Sequence, residues 1–215
     1  MTEFQVIDQL LTNVEADVTD ESKFDRDFIA ANLYTVRGMA IQQFFQKYKR
    51  ISPLCLQTLN LEYDINLQDD VNNNCITKYN LPQYIQLDAR VDGVTFIGNS
   101  ENKSFRRIKT RGELATLKKH TLLSPDNGKY IAVLTDNGFA ELHATNKIKE
   151  LIVALCLFNP NDDPSYNSQV DNFPVSQDLI TTMTDLAMKL YFNRIGNMPI
   201  DNRSNKNNAI PMPSR

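Results

Sequence analysis

Residues 126–143 read DNGKYIAVLTDNGFAELH, and they decide the fold. Two Asp-Asn-Gly triplets, Asp126-Asn127-Gly128 and Asp136-Asn137-Gly138, bracket a short apolar run. Asn-Gly supplies the positive φ angles of a two-residue type I′ turn, so each triplet predicts a β-hairpin turn. The apolar stretches around the second turn predict strands over 129–134 and 139–143. A small sheet therefore lies mid-chain.

Helical periodicity flanks that sheet on both sides. Upstream, Phe4, Ile7, Leu10, Leu11 and Val14 recur at steps of three and four behind Thr2, a residue suited to an N-cap. An acidic, polar break is expected over 15–22. A second helix is predicted over 25–49, where Phe28, Ile29, Leu33, Val36, Ala40, Ile41, Phe44, Phe45 and Tyr48 keep one apolar stripe. Asp25 and Asp27 complement the positive end of its dipole, and Lys47, Lys49 and Arg50 the negative end. Ser52-Pro53 stops it.

Between 54 and 160 the period shortens to two. Tyr63, Ile65 and Leu67 alternate with Asp64 and Asn66, a half-buried strand pattern, and 68–74 reads as a polar loop. Pro82 confines the mixed stretch 81–87 to an edge or a strand start. Residues 94–97 form a short strand between Gly93 and Gly98. Residues 150–158 are almost continuously apolar, which fits a buried strand or a helical turn; Ile152, Val153 and Asn159-Pro160 favour the strand.

A polar loop over 162–172 leads into a last helix over 176–192, with Leu179, Ile180, Met183, Leu186, Ala187, Leu190 and Tyr191 on its apolar side. Ser176 is its expected N-cap, Val175 and Ile180 its staple, and Gly196 its end. The tail over 197–215 carries three prolines and many Asn and Ser, and is expected to be flexible unless a partner orders it. The fold expected is α+β. Residues 1–53 form the N-terminal helical part of a body, 54–160 a largely antiparallel β insertion, 161–196 the helix that completes the body, and 197–215 an extended tail.

Catalytic and metal chemistry find little to work with. Cys55, Cys75, Cys156, His120 and His143 show no CxxC or HxxxH spacing, so no metal is expected. The odd number of cysteines fits reduced, buried thiols. There is no GxSxG elbow and no phosphate-cradling glycine loop, and His143 is expected at the surface of a hairpin strand. Asp69-Asp70 and Asp162-Asp163 lack the alternating oxygen donors of a calcium loop. No enzyme and no cofactor are expected. No apolar run approaches the roughly 20 residues that span a bilayer, so no membrane partner is expected, and no signal peptide is evident.

One charge feature stands out. Lys103, Arg106, Arg107, Lys109, Arg111, Lys118 and Lys119 face only Glu101 and Glu113 in the window 101–120, a local charge of +5. The whole chain is −3, so the remainder carries −8. Such a stretch reads as a solvated loop, as a face meeting an acidic surface of a neighbouring subunit, or as a contact to a phosphate backbone through counterion release.

The order of segments carries a resemblance. Leu81-Pro82 opens a mixed strand; VTFIG follows at 94–98, Phe105-Arg106-Arg107 opens the basic stretch, and KYIAVL lies at 129–134. LIVALCLFNP at 151–160 and FPVSQDLI at 173–180 lead into the last helix, and the long helix carries Arg37 in its middle. Over residues 1–195 this resembles the ring or head-to-tail adaptor (neck) structural proteins of crAss-like and related Bacteroides bacteriophages. The resemblance implies a homo-oligomeric ring, twelve copies to match the portal, joining the portal vertex to the tail and lining the genome-ejection channel. Its partners would be the portal protein and adjacent ring and tail proteins, with transient contact to phage DNA. It implies a virion component assembled in the host bacterial cytoplasm. A nucleic-acid-binding regulator using Lys103 to Lys119 is the alternative, and a small hydrolase a weaker one.

Overall fold

The computed structural model describes residues 1–17, 26–62, 75–88, 91–101, 103–120, 132–136, 138–144, 148 and 150–196. Four helices and nine strands are assigned among them, in the order α1 (Glu3–Asp17), α2 (Arg26–Tyr48), β1 (Gln57–Glu62), β2 (Cys75–Asn80), β3 (Gln86–Asp88), β4 (Val91–Asp92), β5 (Val94–Gly98), β6 (Arg106–Ile108), α3 (Arg111–Lys119), β7 (Ala132–Asp136), β8 (Phe139–Ala144), β9 (Glu150–Leu155) and α4 (Ile180–Gly196). The α+β class follows.

The helices form where the stripes predict them. Thr2 caps α1 reciprocally: its backbone N–H donates to Gln5 Oε1 at 2.9 Å, and Gln5 N–H donates back to Thr2 Oγ1 at 3.5 Å. The helix runs through Glu15 to Asp17, so the acidic break starts later than expected, and 18–25 lies outside the described residues. Lys49, at φ 54°, takes the left-handed position that closes α2, and its N–H donates to Phe45 O at 2.7 Å. At the other end Ser176 does not cap α4 with its side chain. A 3-10 turn at Gln177–Leu179 comes first, and the helix starts at Ile180. Together α1, α2 and α4 bury Val6, Leu10, Leu33, Ile41, Leu179 and Met183 in one apolar cluster.

The β region is two facing sheets. One has the order β1-β9-β5, entirely antiparallel; the other has the order β2-β8-β7-β6, with β6 and β7 parallel. Their inner faces share a second cluster that includes Leu59, Tyr79, Val94, Val133, Leu142, Leu151 and Val153. β9 is central in its sheet with both sides paired, which explains its near-continuous apolar sequence. β3 and β4 form a separate two-stranded ribbon.

The second Asp-Asn-Gly turn is realised. Asp136 pairs with Phe139, which leaves a two-residue loop, and Gly138 sits at φ 82°. The first triplet, residues 129–131, the alternating 63–67 stretch, the 68–74 loop and the tail all lie outside the described residues. β1 and β2 were not anticipated: both are short, and β2 begins at the end of a polar tract.

The basic window is not a loop. It is strand β6, a Thr110-capped helix α3 and the turns between them. Thr110 Oγ1 accepts from Glu113 N–H at 3.1 Å, and Glu113 Oε2 accepts from Lys109 N–H at 3.1 Å. In chain order α3 lies between the parallel strands β6 and β7, and a parallel pair needs a crossover of this kind. Leu114 and Leu117 of α3 pack with Ile108 over the outer face of the second sheet.

Candidate functional site

The seam between the helices and the sheets is organised by one residue. Arg37, in the middle of α2, is fully buried. It falls on the apolar stripe between Leu33, Val36, Ala40 and Ile41, and packing on every side leaves its head no route to water. The guanidinium therefore meets backbone carbonyls. Nε donates to Pro174 O at 2.8 Å, Nη1 to Leu157 O at 2.6 Å and Nη2 to Cys55 O at 3.3 Å. Its central carbon stands 5.7 Å from the centre of the Phe173 ring, a cation–π distance. One fork thus ties α2 to the turn after it, to the end of the β9 segment and to the loop before α4.

The surroundings of Arg37 are dry. Burial pulls its pKa down, with the nearby thiols of Cys156 and Cys55 opposing that pull. Burial likewise pushes the Cys156 thiol up to about 12 and raises that of Cys55, so both stay protonated, free and buried. The Cys75 side chain lies outside the described residues. Tyr34, one helical turn before Arg37, adds a second tie. Its hydroxyl donates to Glu3 Oε1 at 3.0 Å and accepts from Asn161 Nδ2 at 2.7 Å. Burial, then the Glu3 charge, raises its pKa to about 12.

The seven basic residues do not form one patch. Arg107 points between the sheets, where it donates to Val94 O at 2.8 Å, to Thr135 Oγ1 at 3.3 Å and to the Asp92 carboxylate. Lys103 pairs with Glu101 at 2.7 Å, both well exposed, a contact that contributes little. Arg111 reaches Glu141 at 3.4 Å. Lys109 contributes its backbone N–H to the cap of α3. Arg106, Lys118 and Lys119 form no ion pair among the described residues; Arg106 and Lys119 are exposed and Lys118 is half-buried. Arg106 lies on the edge strand β6, where a charge discourages further strand pairing.

His143 is not a surface residue. It is 4% exposed, because β8 is covered on both faces. Its Nε2 lies 2.8 Å from Glu141 Oε1, and the other Glu141 oxygen takes Arg111. The hydrogen bond from His143, helped by the Arg111 and Lys78 charges, holds the Glu141 carboxyl below the usual range against the effect of burial. His120 ends α3 and is exposed. The two histidines are therefore separated, and no cluster of three or more metal-ligating side chains occurs among the described residues. No helix among them is long and apolar enough to cross a membrane.

What the surface does offer is apolar. Tyr48 is 49% exposed, Leu54 66%, Phe192 49%, Phe4 51% and Val170 74%. Tyr191 meets Phe28 edge-on at 5.3 Å, which sets the end of α4 beside the start of α2. Phe192 and Tyr48 therefore mark opposite ends of the helical layer, separated by about 30 Å at 1.5 Å per helical residue, whereas Leu54 adjoins Cys55, whose carbonyl meets Arg37 at the middle of α2.

A family model described as phage tail ring protein 2 (CrAss_Ring_2) matches residues 5–210. The chain belongs to that family. A phage tail ring protein is a structural component of the virion, and the match runs through both helical segments, both sheets and most of the tail. No match was found among curated proteins. The Arg37 fork, the facing sheets and the separated apolar ends thus belong to a protein of a phage tail ring family. Sequence reading marked Arg37 only as a feature of the long helix; an arginine standing on an otherwise apolar stripe was the available signal of its buried role.

Proposed function

We propose that this ring protein closes as a homo-oligomer in the phage neck or tail, linking the portal vertex to the tail and lining the channel through which the genome leaves. The observation that carries the reading is the pair of exposed apolar sites at opposite ends of the helical layer, in a chain of a ring family. A rotationally closed ring is built from heterologous contacts, so each subunit needs two different complementary faces. Phe192 belongs to one and Tyr48 to the other. Residues 1–53 and 161–196 form the ring body in this reading, and the β region over 54–160 projects toward the next ring or subunit. Twelve copies would match a twelve-fold portal, with assembly in the bacterial cytoplasm.

DNA contact in the channel would fall to exposed cations of this stretch such as Arg106 and Lys119. With Arg107 committed to Asp92 between the sheets, the sequence alternative of a dedicated nucleic-acid regulator has fewer charges to use. The two readings separate cleanly by salt. A regulator neutralising six phosphates would show a log–log salt slope of about −5, and a channel lining that touches DNA only transiently a shallower one. Mass spectrometry of purified virions tests the structural reading itself: the chain should be present in many copies, and its absence from particles would remove the reading.

A further inference from the structure

The two ends of the helical layer carry opposite charge. Glu3 of α1 meets Tyr34 of α2 at 3.0 Å, and Asp8 meets Arg26 at 3.0 Å. The two helices are therefore antiparallel, and the last turns of α1 run past the start of α2. Glu15 and Asp17 lie in those turns, Glu15 exposed, and α1 has no basic residue in its last turn. Negative charge there opposes the helix dipole, which favours cations at a C-terminal end, so nothing within α1 accounts for the two acids. Over 15–25 five carboxylates stand against Lys23, a net −4, and Arg194 near the end of α4 brings this end to −3. Asp185 and Lys189 of α4 offset one another. Phe192 is exposed at the same end.

The far end of α2 is basic and aromatic. Lys47, Lys49 and Arg50 are exposed and form no ion pair among the described residues. Lys47 Nζ stands 5.0 Å from the centre of the Tyr48 ring and Lys49 Nζ 5.8 Å from that of Phe45. Phe44 meets Tyr48 at 4.7 Å, so the cations lie over a joined aromatic platform. Only Lys47 falls in the last turn of α2, and the helix dipole accounts for that cation alone. The β3–β4 ribbon is tied to α2 by the Gln42–Gln86 hydrogen bond. Its Asp92 is bound by Arg107, and counting Asp88 still leaves this end at +2.

The two ends of one subunit cannot meet. α2 holds them about 30 Å apart. The eight residues between Asp17 and Arg26 are tethered at both ends and reach out about 15 Å at most. We propose that the acidic end of one copy docks on the basic end of α2 in the next, with Glu15 and Asp17 facing Lys47 and Arg50 and Phe192 beside Tyr48. The proposal rests on the homo-oligomeric ring reading and names the charges that set the direction of its closing contact. Like ends repel, so two copies are kept from pairing symmetrically through either end and are steered into a head-to-tail contact.

Charge exchange in the full chain tests it. One variant, Lys47→Glu with Arg50→Glu, makes both ends acidic; the other, Glu15→Lys with Asp17→Lys and Asp20→Lys, makes both basic. Sedimentation of the parent chain should show self-association at about 50 mM salt that weakens about tenfold or more at about 500 mM. Each variant alone should lose association about tenfold or more with unchanged circular dichroism, and an equal mixture of the two should regain it. The basic variant also removes acids that oppose the dipole of α1, so it should unfold no earlier than the parent, whereas a purely structural role for Glu15 and Asp17 predicts earlier unfolding. Unchanged association in either variant, no recovery in the mixture, or a parent that stays monomeric at low salt would each overturn the proposal. So would a basic end that binds duplex DNA and no second copy. A closed ring in virions would then leave the ring reading standing, and no ring at all would remove that reading too.

Discussion

Arg37 is the residue on which the two halves of the molecule converge. Removing its side chain leaves the carbonyls of Pro174, Leu157 and Cys55 buried without their donor. Arg37→Met keeps much of the volume but none of the fork, and should destabilise the chain by about 3–5 kcal/mol, read as a lower denaturant midpoint. Arg37→Lys should recover only part of this, because a single ammonium cannot span three divergent carbonyls. The neighbouring thiols carry a second expectation. Burial holds Cys55 and Cys156 protonated, so under native conditions neither should react with a thiol reagent on the timescale of an exposed cysteine. At most one of the chain's three cysteines, Cys75, should modify quickly before unfolding. Rapid labelling of Cys156 in folded protein would contradict the dry seam.

At the scale of elements, the β7–β8 hairpin and the β8 outer face make separate predictions. Gly138 lies at φ 82°, where a Cβ is strained whatever space is available. Gly138→Ala should therefore cost about 1–2 kcal/mol, and Gly138→Asn less, as measured by thermal or denaturant unfolding. Gly93 is needed for a different reason: a Cβ there would stand 2.6 Å from Ile85 O, so Gly93→Ala should separate the β9 segment from the β3 approach. Glu141 supplies a pH dependence. Its carboxyl is held below its unfolded value, so it adds stability above about pH 4.5 that is lost as pH falls through the folded pKa. Glu141→Gln should flatten that acid limb and leave the profile above it parallel to the parent; an unchanged acid limb would show that the pair is not linked to folding.

The same elements show what could be read in advance. The hairpin was legible because its turn chemistry is local, and α2 because its stripe is long. α3 was hidden by composition: five of its nine residues are Arg, Glu, Lys or Gly, and only Leu114 and Leu117 mark its buried side. Its cap, Thr110 followed by Glu113, was the usable signal. His143 was misplaced because alternation predicts one wet face. α3 and its neighbours cover the outer side of the second sheet, and tertiary cover of this kind leaves no trace in a strand's own period. The basic window dissolved for a related reason: linear proximity said nothing of Arg107 turning inward to Asp92.

The whole molecule is a helical layer joined through the Arg37 seam to two facing sheets, and its family is one of phage tail rings. The proposed ring closes through two different apolar ends of that layer. Truncating the exposed side chain of one end, Tyr48→Ala, should leave the fold intact and reduce assembly into particles, because interface aromatics carry a disproportionate share of binding. The most direct measurement is symmetry-resolved imaging of the neck and tail of intact virions, with this chain fitted into the ring density. Closure through the two ends requires that Phe192 of one subunit and Tyr48 of the next lie inside the subunit contacts of a closed ring. A ring in which both ends remain exposed to solvent would contradict it.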